Sequence, residues 1–353
     1  MVEIIYLVIL FGLTIFVHEF GHFISAKMMG IKVEQFSIGL GPKVFSFKKG
    51  ETEYLISLFF LLGGFVKLEG ENPEEAEKAG ERGFLNQPPH KKIILASAGV
   101  IQNFIFAIIL LWIVYSFGVE TLKPKIGNVK EDYPAYKAGL QKGDEIIEIN
   151  GEKIITWDDL SNKIAGSKDK ELIIKVLRNE KELIFKITPK VDEAENIFKE
   201  KIKRPFLGIE PSGDTIKQKY GIFKAFDKAV EQTWFFTSVT VKSIYKMILR
   251  KIEPQVAGPI GVIDITYKVA KTGFINLLLL FALININLAL VNFLPILPLD
   301  GGLVLMFFIE SIIKRPVPLK VQQALMEFGW FLLIALLVFV TYQDLLRIFG
   351  KGG

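Results

Sequence analysis

The sequence predicts a polytopic α-helical membrane protein of about four transmembrane helices with an inserted α+β domain. Three observations lead there. Half of the 353 residues are apolar and the mean hydropathy is +0.37, too high for an ordinary soluble chain, yet 23% of residues are charged, too many for spans alone. Uncharged runs of spanning length flank one long stretch in which short β-rich runs alternate with turn signals. A His-Glu-x-x-His pattern, His18-Glu19-Phe20-Gly21-His22, sits inside the first apolar run.

A bilayer core takes about 20 helical residues to cross. Four runs reach that length: 4–26, 93–119, 274–299 and 328–349. The first lacks a basic leader segment and a small-residue cleavage site, so it reads as a retained span. The run 54–66 is too short to cross and fits a re-entrant or interfacial segment. Residues 222–250 mix Trp234, Phe235, Phe236 and Tyr245 with Lys242 and Lys246, which fits an interfacial amphipathic helix or a helix packed on the soluble insert. Between them, 146–149, 172–176 and 183–187 read as strands, with turns at Gly143-Asp144 and Asn150-Gly151 and a helix over 157–164 capped by Thr156. The expected division is 1–119 for the first two spans, 120–190 for the α+β domain, 191–273 for the segment with the amphipathic helix, and 274–353 for the last two spans.

Ten Lys or Arg fall in 27–92, and Lys314, Arg315 and Lys320 lie between the last two spans. Basic loops face the cytoplasm, which puts both termini and the large insert outside. The net charge of +5 is ascribed to anionic lipid headgroups, because no basic run is interleaved with aromatics as a nucleic-acid groove would require. No nucleic-acid partner is expected.

There is no cysteine, so thiol catalysis, disulfides and Cys-ligated metal are excluded. Histidines number three: His18, His22 and His90. His18 and His22, four apart on a helix, share one face and can reach a single tetrahedral metal. Glu19 projects about 100° around the same turn, where it can act as a proton acceptor. A glutamate and two histidines in mid-span are costly, by roughly 2.5–3.5 kcal/mol for a charged residue on insertion scales, so they read as functional. A third ligand is needed. His90 sits in a basic Pro-Pro-His-Lys-Lys junction and reads as an interfacial residue. Asp300 is favoured: Pro295 and Pro298 break the helix before it, and Gly301-Gly302 allow a tight turn after it. It could also cap the helix that follows. Asn292 could hold substrate or form an interhelical contact. Gly99 through Asn103, with Ala107, reads as close packing against the first span. The segment Gly64-Phe65-Val66-Lys67-Leu68-Glu69 is the candidate strand for pairing with an extended substrate, with a plain surface hairpin as the other reading.

The chain resembles the site-2 protease family, in its RseP-like branch, over nearly its whole length. His18–His22 resembles the family's zinc motif, Gly99–Asn103 its second-span motif, and Asn292 through Gly301 its N-x-x-P…L-D-G motif. Phe36 through Pro42 and Gly63 through Lys67 resemble the segment leading to a membrane-associated β-loop, and Gly258 through Gly261 the segment before the third span. Pro134 through Gly151 is similar to a PDZ domain, present once. The resemblance implies an inner-membrane protease with one Zn2+ on His18, His22 and Asp300, with Glu19 as general base. It also implies single-span substrates such as anti-sigma-factor-like proteins or signal-peptide remnants, often trimmed first by an upstream site-1 protease. The intact metal motif argues against a non-catalytic PDZ scaffold. A single broken segment without a repeat argues against a transporter.

Overall fold

A computed structural model of the chain describes residues 2–167, 170–196, 198, 200–252 and 257–349. Residues 1–114, 222–245 and 253–353 form one compact unit, and 115–221 with 246–252 form a second. Among the described residues, four helices are long and apolar enough to cross a membrane.

Helix α1 (Val2–Met28) carries the metal motif in its second half. Strands β1 (Val33–Lys49) and β2 (Thr52–Leu68) follow and pair antiparallel. Both bend, with Gly39, Gly41 and Gly63 at positive φ. The register shows that residues 53–56 pair with 35–38 on one side and 45–48 on the other, while 64–68 pair with 33–38. The ladder therefore has four segments in the order 64–68, 33–38, 53–56, 45–48, and the segment 64–68 is an edge. The run 54–66 thus lies within β2, as part of this β-loop. Short α2 (Pro73–Ala76) leads to α3 (Pro89–Phe117), the second long apolar helix.

The second unit starts with β3 (Val119–Leu122), β4 (Ile126–Val129), α4 (Pro134–Lys137), β5 (Glu145–Ile149) and β6 (Glu152–Lys153). The two-residue turn between β5 and β6 is Asn150-Gly151, both at positive φ, the geometry that Asn-Gly favours. Helix α5 (Trp157–Ala165) opens with a capping box of Thr156 and Asp159. Strands β7 (Leu172–Arg178) and β8 (Lys181–Ile187) complete a sheet in the order β6-β5-β7-β8. Ile126, Leu140, Ile146, Ile149, Leu160, Ile174 and Val176 form its core. Asp144 is buried against Arg178, whose Nε and Nη2 donate to it at 2.6 and 2.7 Å. Strands β9 (Lys190–Glu195) and β10 (Lys201–Phe206) pair with each other, β11 (Ile209–Pro211) with β4, and β12 (Thr215–Gln218) with β3.

Helix α6 (Ile222–Ile248) lies along the long helices: the Trp112 indole of α3 donates to Ile222 O at 2.8 Å and stacks edge-on against Phe226. At its far end the Lys246 ammonium lies 4.2 Å from the Phe198 ring centroid and pairs with Glu200. The sequence signal was a polar–apolar face, which does not say which partner covers it. Helix α7 (Pro259–Ala270) starts on Asp344, which accepts from Gly258 N at 3.1 Å and Gly261 N at 2.7 Å. Helix α8 (Phe274–Asn292) is the third long apolar helix and ends before the two prolines; Asn285 donates to Thr14 of α1 at 3.1 Å. Thr240 Oγ1 of α6 donates to Asn287 Oδ1 of α8 at 3.0 Å.

Helix α9 (Asp300–Ile313) follows the broken segment. Helix α10 (Leu319–Phe349) begins nine residues before the expected start at 328, because Pro318 starts the helix and its polar first turns, with Lys320, Gln322 and Gln323, masked that start.

Candidate metal centre

His18 and His22 project from one face of α1. Their Nε2 atoms lie 3.4 Å apart, and Asp300 Oδ2 is 3.3 Å from the first and 3.5 Å from the second. A tetrahedral zinc with bonds of about 2.0–2.1 Å spaces its donors about 3.3–3.4 Å apart. The three separations found are those of such a triangle. Asp300 Oδ2 is also buried without a hydrogen-bond partner, and the three side chains are at most 16% exposed. An orphaned buried carboxylate oxygen amid two imidazole nitrogens fits a cation between them. Among the described residues this is the only His/Asp/Glu group of that kind.

Each histidine is oriented from α3. His22 Nδ1 donates to Leu95 O at 2.9 Å, which leaves Nε2 with its lone pair facing Asp300. His18 Nδ1 lies 3.2 Å from the Asn103 side-chain amide. For His18 Nε2 to ligate, Nδ1 must carry the hydrogen, so Asn103 presents its oxygen there. That orientation also gives Asn103 Oδ1, otherwise buried without a partner, its bond. Asn103 reads from sequence as part of a packing motif; here it also bonds the His18 ring. Packing is present too. A Cβ on Gly21 would come within 2.6 Å of Ala98 O, and one on Gly99 within 2.3 Å of His22 Nε2.

Asp300 occupies the first turn of α9 rather than the cap position, which is Leu299, and its carboxylate turns to the histidines. The close return of the broken segment needs the glycines: a Cβ on Gly301 would sit 2.2 Å from Phe293 O, and one on Gly302 2.5 Å from Ile296 C. His90 is exposed in the first turn of α3 and is not part of the group.

A cavity of about 250 Å³ opens on the three side chains. Glu19, Gly64, Phe65, Val66, Leu68, Glu71, Leu95 and Leu303 are among its walls. Lys67 instead pairs with Glu34 of β1 at 3.0 Å, and Asn292 does not line this cavity. Gly64 abuts the candidate base, since a Cβ there would meet Glu19 Cγ at 2.9 Å and Ser37 O at 2.8 Å. Glu71 escaped the sequence reading. It follows β2 in a charged loop and carries no motif, and only the fold brings it to the cavity. Confinement there pushes its carboxyl above the ordinary range, against the opposing pull of the Leu68 amide.

A helical membrane protein with two histidines and an aspartate converging beside a glutamate has the makings of a metal-dependent hydrolase, and comparison with known proteins makes it a zinc metalloprotease. The chain belongs to peptidase family M50, whose model matches residues 6–336. A relative from Campylobacter jejuni is 36% identical over 353 residues, covering 99% of this chain and 95% of its own. The regulator of sigma-W protease RasP of Bacillus subtilis is 31% identical, with 98% of this chain and 99% of that one covered. The zinc metalloprotease RasP of Bacillus licheniformis matches at the same identity and coverage. Among solved structures, the PDZ domain of an SdrC-like protein from Listeria innocua matches 25% of this chain and 92% of its own at 26% identity, with a TM-score of 0.21.

Proposed function

We propose that this metalloprotease cleaves peptide bonds inside the transmembrane segments of single-span proteins, using one zinc ion on His18, His22 and Asp300 and Glu19 as proton acceptor. The observation that carries the proposal is the donor triangle, 3.3–3.5 Å on a side, set in an apolar helix next to a glutamate and a strand edge. Zinc bound there supplies Lewis acidity toward a carbonyl oxygen and makes water more acidic. Glu19 takes the proton of the attacking water and returns it to the leaving amine. Leu95 O and Asn103 hold the two imidazoles in the tautomer that frees Nε2.

A transmembrane helix hides its carbonyls in its own hydrogen bonds, so the substrate must unwind locally. Unwinding leaves backbone groups unsatisfied in a poorly hydrated site, at a cost of several kcal/mol. The edge 64–68 offsets that cost by pairing with the extended segment. Strand alternation supports the assignment. Glu69 N donates to Lys32 O at 3.0 Å, on the β1 side, so the amides of Leu68, Val66 and Gly64 point to the unpaired side. Gly64, Phe65 and Val66 are the contacts for substrate inside the cavity, and Lys67 and Asn292 act from outside it.

The substrates are anti-sigma-factor-like proteins or signal-peptide remnants, trimmed first by a site-1 protease. The protein sits in the inner membrane with its basic loops in the cytoplasm and the PDZ-like domain outside, where that domain excludes substrates with intact ectodomains. The test is co-expression with tagged single-span proteins in trimmed and untrimmed forms, comparing wild type with Glu19→Gln. Wild type should consume the trimmed forms only. Glu19→Gln should keep its zinc and lose about 10²–10⁴-fold in rate. Near-normal turnover by Glu19→Gln removes the glutamate from the chemistry, and equal loss of untrimmed substrates removes the filter.

A further inference from the structure

The unpaired edge of β2 does not run on past Val66. Leu68, the next residue whose amide points outward, donates that amide to Glu71 Oε2 at 3.2 Å. Glu71 lies three residues further along, after the chain has turned at Gly70, whose φ of 64° lets the carboxylate fold back over the strand end. The same Glu71 lines the metal cavity and also a second cavity of about 600 Å³, with Phe84 and Leu303 common to both. Asn72, Glu75, Gln322 and Gln323 line the second cavity, which gives it a polar wall. Glu71 therefore stands where the strand edge leaves the metal cavity and would enter the second one.

We propose that Glu71 is a positioning residue that closes the pairing edge after Val66 and so fixes the register in which an extended substrate lies across the metal centre. The inference rests on the reading of 64–68 as the substrate's pairing strand.

The physical argument concerns slippage. The hydrogen-bond pattern of a strand repeats every two residues, so an extended segment paired with Gly64 and Val66 can shift by two residues and pair with Val66 and Leu68 instead. Both registers make the same backbone bonds. They place different peptide bonds beside Glu19, which is fixed against Gly64. A carboxylate already on Leu68 N removes the degeneracy, because the shifted register must displace a charge-assisted bond to gain a neutral one. Hydrogen bonds to charged groups are strong enough to bias such a competition by about 10-fold or more. Lys67 does not draw Glu71 away, since its ammonium is engaged with Glu34. Glutamine keeps an acceptor oxygen but not the charge, so it should restrain the shift in part, where alanine cannot restrain it at all.

The experiment uses the full chain, zinc-loaded and reconstituted in phosphatidylcholine vesicles. The probes are synthetic single-span peptides with an Ala/Leu core and a central Gly-Pro, from which one that wild type cuts at a single bond is chosen. Product termini are read by mass spectrometry. Glu71→Ala should add products displaced by two residues, to about a tenth of the total or more, and Glu71→Gln should give fewer of them than Glu71→Ala. A Glu71→Ala protein that cuts only at the wild-type bond overturns the proposal. So does a folded, zinc-loaded Glu71→Ala protein that cuts nowhere, because the cap limits pairing and does not create it. Val66→Pro, run alongside, separates the two levels. If it cleaves like wild type, the pairing strand itself is misassigned; if it loses cleavage while Glu71→Ala leaves the products unchanged, the strand stands and the cap falls.

Discussion

Gly99 offers a steric probe of the metal centre. A Cβ added there would lie 2.3 Å from His22 Nε2, 2.6 Å from His18 Cε1 and 2.8 Å from His18 Nε2, whereas ordinary contact begins at 3.4 Å. Gly99→Ala thus demands a movement of roughly 1 Å from one side or the other. Neither side has the freedom. The His22 ring is bonded to Leu95 O, one turn earlier on the same helix, so pushing α3 away stretches the bond that orients the ligand. Gly21 already stands against Ala98 O, so α1 cannot slide closer elsewhere to compensate. Overpacking of this kind costs about 1–3 kcal/mol. Replacing a helical glycine returns about 1 kcal/mol through propensity, so the net loss is about 0–2 kcal/mol and the melting temperature should fall by no more than a few degrees. Metal affinity should change much more, by about 10–100-fold, as when the groups that orient metal ligands are disturbed. Zinc retained after dialysis against graded chelator, measured by mass spectrometry, reads this out. Gly80→Ala, where an added Cβ meets nothing within 4 Å, is the control. A Gly99→Ala protein that holds zinc as tightly as wild type and cleaves as fast would refute the placement of the donors over Gly99.

Lys92 and Glu310 form an ion pair at 2.8 Å with side chains 8% and 6% exposed, so Glu310→Gln or Lys92→Met alone should destabilise by about 3–5 kcal/mol, with much of it recovered in the double variant. Additive losses in the double variant would deny that the two charges are coupled. Glu51 receives two bonds from Arg82 and one from Lys27, which hold its carboxyl down from 4.5 to about 2. A carboxyl lowered in the folded state stabilises above pH 4.5 and loses that contribution as the pH falls toward 2, so wild type should lose more melting temperature across this window than Glu51→Gln. Parallel curves for the two proteins would mean the cluster contributes nothing, as many partly exposed pairs do.

The grouping of the two imidazoles beside a carboxylate was legible in the sequence because it is local. His18, Glu19 and His22 fall within five residues, and the helical period alone puts the imidazoles together. Asp300 was legible because two prolines and two glycines announce an irregular, polar turn inside an apolar region. The parts that escaped depend on contacts across the chain. Asn103 and Leu95 O act on residues 85 and 73 positions away, and nothing in the α3 sequence says which of its faces meets α1. Asp344 reads as a charge at the end of a span, yet it is 1% exposed and holds the start of α7 from 83 residues away. The second bend of the β-ladder escaped for another reason. Gly63 and Gly64 interrupt an apolar run, and a break there fits a loop as well as it fits a strand that turns and continues along its neighbour.

What aligns donors from opposite ends of the chain is a single stripe of α3. Lys92, Leu95, Gly99 and Asn103 are spaced by three, four and four residues, which places them on one helical face. Lys92 binds Glu310 and so ties down α9, the helix that begins with Asp300. Leu95 O orients His22, Gly99 leaves the space in which the donors meet, and Asn103 orients His18. Each contact is ordinary. Together they mean that α1 and α9 are positioned against the same reference, so their relative placement does not accumulate the errors of the intervening elements. A displacement of α3 about its axis would disturb all four at once, and α10 supports the same arrangement from another side, since a Cβ on Gly329 would run into Leu297 O in the segment that leads to Asp300.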